Sequence, residues 1–159
     1  MSAARRSGFT LIELLMTLAI VSVLAAAAFP LSEMSARRMK ERELREALWQ
    51  MRAAIDGYKQ ASDEGRIQRS ANRSGYPPDL RTLVEGVRNA KDPGGGKIYF
   101  LRKVPRDPFA DDPALGADRT WVKRSYESPA EEPREGQDVF DVFSMSTKTG
   151  LNGVPYREW

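Results

Sequence analysis

Arg5-Arg6-Ser7-Gly8-Phe9-Thr10-Leu11-Ile12-Glu13-Leu14 passes from a short basic start into an apolar run that continues to Leu31. As a helix, residues 9–31 would measure roughly 34 Å at about 1.5 Å per residue, enough for a bilayer core of about 30 Å. Thr10, Thr17 and Ser22 can return their hydroxyls to helix carbonyls. Glu13 has no such escape. A carboxylate at membrane depth costs about 2.5–3.5 kcal/mol and persists where it is paired or functional.

Three readings of this segment compete. A secretory signal peptide would be cut after the apolar run, and Ala25-Ala26-Ala27 satisfies the small-residue rule. That reading leaves Glu13 unexplained. A plain anchor would follow the distribution of basic residues. Arg37, Arg38, Lys40 and Arg42 after the run oppose Arg5 and Arg6 before it, so no clean orientation results. The third reading removes residues 1–8 as a leader and keeps the apolar helix. A cut between Gly8 and Phe9 turns a neutral amide into an α-amine with an ordinary pKa of about 8. The cut thereby supplies a cation for Glu13. Phe9 and Glu13 are i and i+4, so the pair can form within one chain. Formed between neighbours, it would set the axial register of one subunit on the next.

The third reading is the one the residues favour. The Arg5–Leu14 decapeptide resembles the processing site of type IV pilins and type II secretion pseudopilins. The resemblance implies that a membrane prepilin peptidase cuts after Gly8 on the cytoplasmic side and N-methylates Phe9. It makes Glu13 the fifth mature residue and Pro30 a helix-bending proline, so that Phe9, Glu13 and Pro30 serve assembly.

Beyond residue 31 the pattern stays helical but turns amphipathic. Leu44, Leu48, Met51, Ile55 and Tyr58 form a one-sided stripe, broadened by Ala47 and Ala54. Arg45, Glu46, Arg52, Asp56 and Lys59 take the other face. The stripe is too short for a free-standing coiled coil and predicts a helix covering a small domain. Pro30 should kink the helix or end it. Without another proline or glycine in 31–39, a kink is expected, giving one helix over residues 9 to about 63, roughly 80 Å long.

Residues 65–75 read as a polar loop. Tyr76-Pro77-Pro78-Asp79 then starts a short helix with Asp79 as N-cap and Leu80, Leu83, Val84 and Val87 on one face. Asp92-Pro93-Gly94-Gly95-Gly96 is a flexible turn, and no Walker lysine follows it. Residues 98–101 are a short apolar run, and 121–126 and 139–144 read as strands. In the latter, Val139 and Phe143 alternate with Phe140 and Val142, which predicts a central strand. The expected fold class is α+β: a long N-terminal helix packed on a small antiparallel sheet. With the resemblance of the N-terminal decapeptide, the expected domains are a leader at 1–8, a membrane and filament-core helix at 9–31, and a periplasmic domain at 32–159.

Over most of the chain the order of motifs looks like the major pseudopilin of type II secretion. Tyr76-Pro77 leads into Leu80, Leu83 and Val84. Leu101-Arg102-Lys103-Val104-Pro105-Arg106-Asp107-Pro108-Phe109, Phe140-Asp141-Val142-Phe143-Ser144 and a terminal Trp159 follow. The resemblance implies a pilin-like fold, a homopolymer in a periplasmic pseudopilus, and single-pass insertion in the inner membrane before assembly. Its implied partners are copies of itself, the peptidase, an inner-membrane assembly platform, minor pseudopilins and the lipid bilayer. One departure concerns calcium. The family's tail loop is acidic, whereas residues 146–156 hold no Asp or Glu. Ser144, Ser146 and Asn152 are the oxygen donors left, and Lys148 opposes them.

Composition bounds the rest. There is no cysteine and no histidine, which removes disulfides, thiolate chemistry and the commonest general base. The absence of cysteine also weighs against a pilus pilin, since pilins often close a C-terminal disulfide loop. The 25 basic residues, less Arg5 and Arg6, face 22 acidic ones, a balance that does not suit nucleic acid. Asp107, Asp111 and Asp112 cluster in a proline-rich segment but read as turn residues, and no catalytic constellation emerges. A pilus pilin, a minor pseudopilin and, from another class, a membrane-anchored periplasmic binding protein are the rival readings.

Overall fold

The computed structural model describes residues 9–69 and 73–159, with the backbone alone described at 27–31. The chain divides into two compact units, Met1–Met39 and Lys40–Trp159. The leader residues 1–8, including Gly8, and the side chain of Pro30 lie outside the described residues. Helix α1 spans Leu11–Asp63 and passes residue 30 without ending.

In the first unit Thr17 and Ser22 return their hydroxyls to the carbonyls of Leu14 and Leu18, at 2.9 and 2.7 Å. Thr10 does otherwise: its Oγ1 accepts the Glu13 N–H at 3.3 Å and so caps the helix start. The large apolar side chains described in this unit, from Phe9 to Leu24 and at Met34 and Met39, are exposed, with Phe9 at 80%. Among the described residues no helix is long and apolar enough to cross a membrane; the stretch with described side chains stops at Ala26.

In the second unit the predicted stripe is the core. Leu44, Met51 and Ile55 are fully buried, with Leu48 and Tyr58 nearly so, and they share one cluster with Leu80, Leu83, Trp121, Val142 and Tyr156. Burying each such side chain contributes about 1.5–3 kcal/mol. The short elements are α2 (Thr82–Glu85), β1 (Val87–Arg88), β2 (Lys97–Ile98), β3 (Trp121–Arg124) and β4 (Asp141–Ser144). The architecture is α+β, a long helix packed with small antiparallel ladders, and it is consistent with a pilin-like fold.

The details correct the sequence reading in three places. The helix expected to reach Val87 is a single turn. Gly86 ends it at φ +76°, a conformation L side chains resist, and a Cβ there would meet the Tyr99 ring at 2.7 Å. Val87 instead pairs with Ile98 in β1. Asp79 accepts the Thr82 N–H at 2.8 Å, but the N-cap of α2 is Arg81, whose side chain makes no cap bond.

Second, the expected single sheet is two separate ladders, β1–β2 and β3–β4. Third, β4 is not central. It pairs with β3 alone, in the register Trp121↔Ser144 to Arg124↔Asp141. Its two-sided apolarity has another cause. Val139 and Phe140 precede the strand: Val139 is buried with Val142 in the core, while Phe140 stands edge-on to Tyr76 at 5.0 Å and lies under the Arg124 guanidinium. The glycine turn is also tied down: Asp92 accepts the N–H groups of Gly94 and Gly96, both at 2.9 Å.

Candidate processing and assembly site

The site grows from the start of α1. Phe9 precedes the helix, Thr10 caps it, and Glu13 is the acidic residue of its first turn. A carboxylate there meets the positive end of the helix dipole. Thr10-x-x-Glu13 is also the capping-box spacing, in which the acid reaches back toward the cap residue's own N–H. Both residues are exposed, as are the apolar neighbours Leu11, Ile12 and Leu14. An amine created at Phe9 would sit beside this first turn, where Glu13 supplies the negative charge. Sequence reasoning sent the Thr10 hydroxyl to a carbonyl, although the T-x-x-E spacing pointed to the cap.

Residues 3–29 match the prokaryotic N-terminal methylation motif. The motif is that of type IV pilin-like and pseudopilin-like leaders. It covers the basic start, the Gly8–Phe9 junction, Glu13 and most of the apolar run, and it supports processing by a prepilin peptidase. No curated protein and no solved structure is significantly similar to the chain. The methylation motif therefore bears on the N-terminal segment, and the rest of the molecule is argued from its own geometry.

The tail residues considered for calcium are engaged elsewhere. Ser144 Oγ donates to Asp107 Oδ2 at 2.6 Å and accepts the Ser146 N–H at 3.0 Å. Ser146 Oγ accepts the Lys148 N–H, and Asn152 Oδ1 the Val154 N–H. Among the described residues no group of three or more His, Cys, Asp or Glu is placed to hold a metal ion. Calcium takes about six to eight oxygens with carboxylates prominent, and this donor set does not fit it.

Four polar residues hold the tail and the hairpin instead, and their roles were not read from the sequence. Glu41, 5% exposed, accepts the Leu151 N–H at 2.7 Å and the Tyr156 hydroxyl at 2.9 Å. Its place one turn before Leu44, in line with the buried stripe, was the available signal. Arg52 was assigned to the outer face, but it donates to Asp141 at 2.9 Å and to the Trp159 main-chain oxygen at 2.7 Å. Asp107 is the turn residue expected, accepting the Phe109 N–H at 2.8 Å, but it is also fully buried, which the sequence did not show.

Asp138 is the fourth. Its carboxylate accepts the Ser125 hydroxyl at 2.7 Å, the Tyr126 N–H at 2.9 Å and the Ser74 hydroxyl. Burial pushes its pKa upward, but the hydrogen bonds from Ser74, Tyr126 and Ser125 outweigh burial and hold it below the ordinary 3.8. A carboxyl depressed in the fold adds stability above its unfolded pKa and loses it as pH falls through the folded one. Melting temperature is therefore expected to fall as pH drops below about 4. Asp138→Asn should lower stability at neutral pH and flatten that acid limb. Circular dichroism melts across pH check this, and an unchanged acid limb in the variant would refute the assignment.

Proposed function

We propose that the chain is a structural subunit of a pseudopilus that supports type II protein secretion. In this reading prepilin peptidase removes residues 1–8, Phe9 is N-methylated, and residues 9–31 span the inner membrane and then form the filament core. The domain at 32–159 lies in the periplasm. Assembly engages the inner-membrane platform and minor pseudopilins.

The observation that carries this reading is the methylation motif at 3–29 set on a 53-residue helix. The far half of that helix is the spine of a small α+β domain. Two features favour the secretion filament over a pilus. The tail is closed on α1 by Glu41 and Arg52, not by a disulfide, in a chain without cysteine. The order of motifs from Tyr76 to Phe109 and around β4 resembles the major pseudopilin. A monomeric binding protein would have no use for a carboxylate in its anchor.

Deletion of the gene in its own cell tests the proposal. Export of folded proteins to the medium is expected to stop while surface pili persist. Lost pili with intact export would place the subunit in a pilus. Intact export and intact pili would favour the binding protein.

A further inference from the structure

The second unit carries two exposed features that the core and the tail do not use. The first is a groove of about 540 Å³ between α1 and the tail, lined among others by Arg45, Trp49, Val154 and Trp159. Arg45 stacks over the Trp159 ring at 4.4 Å, and Trp49, one turn further along, is 72% exposed. Arg42, outside the lining, continues the same helix face in the other direction and makes that end basic and aromatic together, while Asp56, two turns beyond Trp49, and Glu158, which pairs with Arg157 at 4.0 Å, also line the groove. The second feature is the loop at 127–135, which holds Glu127, Glu131, Glu132 and Glu135 with Pro129 and Pro133, all exposed. Glu132 and Glu135 pair with Arg134 and Lys123, while Glu127 and Glu131 have no ion-pair partner among the described residues.

We propose that the acidic proline loop of one copy docks into the Arg45–Trp49–Trp159 groove of a second copy. The inference rests on the reading that the chain polymerises, and it names the surfaces that meet. Charge is complementary at the Arg42–Arg45 end, away from Asp56: there Glu127 and Glu131 of the loop would meet the two guanidinium groups. Shape chemistry agrees, because proline rings pack on exposed aromatic faces in known peptide-recognition grooves.

The loop is also pre-ordered. Ser128 Oγ accepts the Arg134 N–H at 2.7 Å and donates to the Glu132 carbonyl at 3.1 Å, and Arg134 O accepts the Ser125 N–H at 2.9 Å. Docking a loop already shaped costs less ordering entropy than docking a free one.

The two patches differ, so the contact is head-to-tail and leaves a free loop and a free groove at the two ends of any chain of copies. Such heterologous contacts build open polymers. The patches are offset along α1 as well. The loop springs from Tyr126, which stacks on Tyr76 at 5.5 Å, and Tyr76 lies beneath Lys59. Lys59 is roughly 15 Å beyond Trp49 at about 1.5 Å per residue. A copy shifted along the helix by that distance brings one loop level with the next groove.

The lack of cysteine makes the test clean. Ala53→Cys places a thiol in the groove and Ala130→Cys one on the loop. Met16→Cys, in the apolar helix, reports self-association by itself. The full chain is expressed in membranes and treated with a short bifunctional thiol reagent. A chain carrying both A53C and A130C should give a ladder, and a mixture of the two single variants should stop at dimers. Adding Trp49→Ala, or Arg45→Glu, should cut the linked product about tenfold, because one side of the contact is lost or repelled. Glu131→Arg should restore it in the Arg45→Glu chain. If Met16→Cys links copies while A53C and A130C do not, the docking inference is overturned and polymerisation stands. If Met16→Cys fails as well, polymerisation itself falls, and the inference with it.

Discussion

Glu13→Leu is expected to leave the precursor cut between Gly8 and Phe9 and to abolish filament assembly. The substitution leaves the Gly8–Phe9 junction intact, so the peptidase still meets its site. It also removes a penalty of about 2.5–3.5 kcal/mol from membrane insertion, so the variant should reach the membrane at least as well as the parent. In the proposed pairing it loses the anion that would answer the new α-amine at Phe9. Without it, a subunit entering the apolar filament core brings an unpaired cation with it. The helix start gives the side chain a second role to separate: Glu13 stands in the first turn at capping-box spacing from Thr10, although its backbone N–H bond to Thr10 Oγ1 survives the substitution. Glu13→Gln separates the two. Glutamine keeps a capping-box side chain but has no charge. Assembly lost in both variants identifies the charge; assembly retained in the glutamine variant identifies the cap. Shear fractions assayed for filaments, with the processed N-terminus read by mass, decide the matter. Normal filaments from the leucine variant would sink the pairing argument.

Repetition is what made parts of this molecule legible in its sequence. The stripe from Leu44 to Tyr58 repeats at helical spacing, and each of its members is buried as expected. Glu13 stood out because a polar interruption in an apolar run demands a reason, while the Gly8–Phe9 junction was read from its resemblance to a prepilin processing site. The sheets were harder, because their strands have between two and four residues, too few to establish a period. Phe140 illustrates the difficulty: its neighbours Tyr76 and Tyr126 come from distant segments, and alternation within 139–144 could not distinguish an aromatic cluster from a second strand partner. The buried acids were hardest. Glu41, Asp107 and Asp138 look like surface residues by composition. Much of what holds them inside comes from distant parts of the chain: Ser125, 13 residues from Asp138, and Tyr156, 115 residues from Glu41.

Asp107→Ala should destabilise the second unit by about 3–5 kcal/mol, a large share of the roughly 5–15 kcal/mol that holds a domain. Asp107 is fully buried at a junction of three segments. Its Oδ1 accepts the Phe109 N–H at 2.8 Å and so shapes the proline-punctuated turn. Its Oδ2 accepts the Ser144 hydroxyl at 2.6 Å, at the end of β4. Its own N–H reaches Thr120 Oγ1 at 3.1 Å, just before β3. The turn is fixed nearby by the Trp121 indole N–H on the Pro105 carbonyl at 2.8 Å. Alanine therefore leaves a donor at Phe109 and a hydroxyl at Ser144 buried without their acceptor, at about 1–3 kcal/mol each, in addition to a small cavity. Asparagine should cost less, because its carbonyl can still serve one donor. Asp111, 90% exposed on its side chain, is the control: its replacement by alanine should cost less than about 1 kcal/mol. A loss of 3–5 kcal/mol in a unit of this size corresponds to a fall of roughly 10–20 °C in melting temperature. A parent-like melt for Asp107→Ala would show that this carboxylate is not a structural junction. A variant more stable than the parent would point the other way, to a buried charge kept at a cost for some function. The hydrogen bonds on both carboxylate oxygens argue for the first role: every one of them ties a neighbouring segment, and together they set the turn that carries Phe109 onto the Tyr156 ring at 4.1 Å.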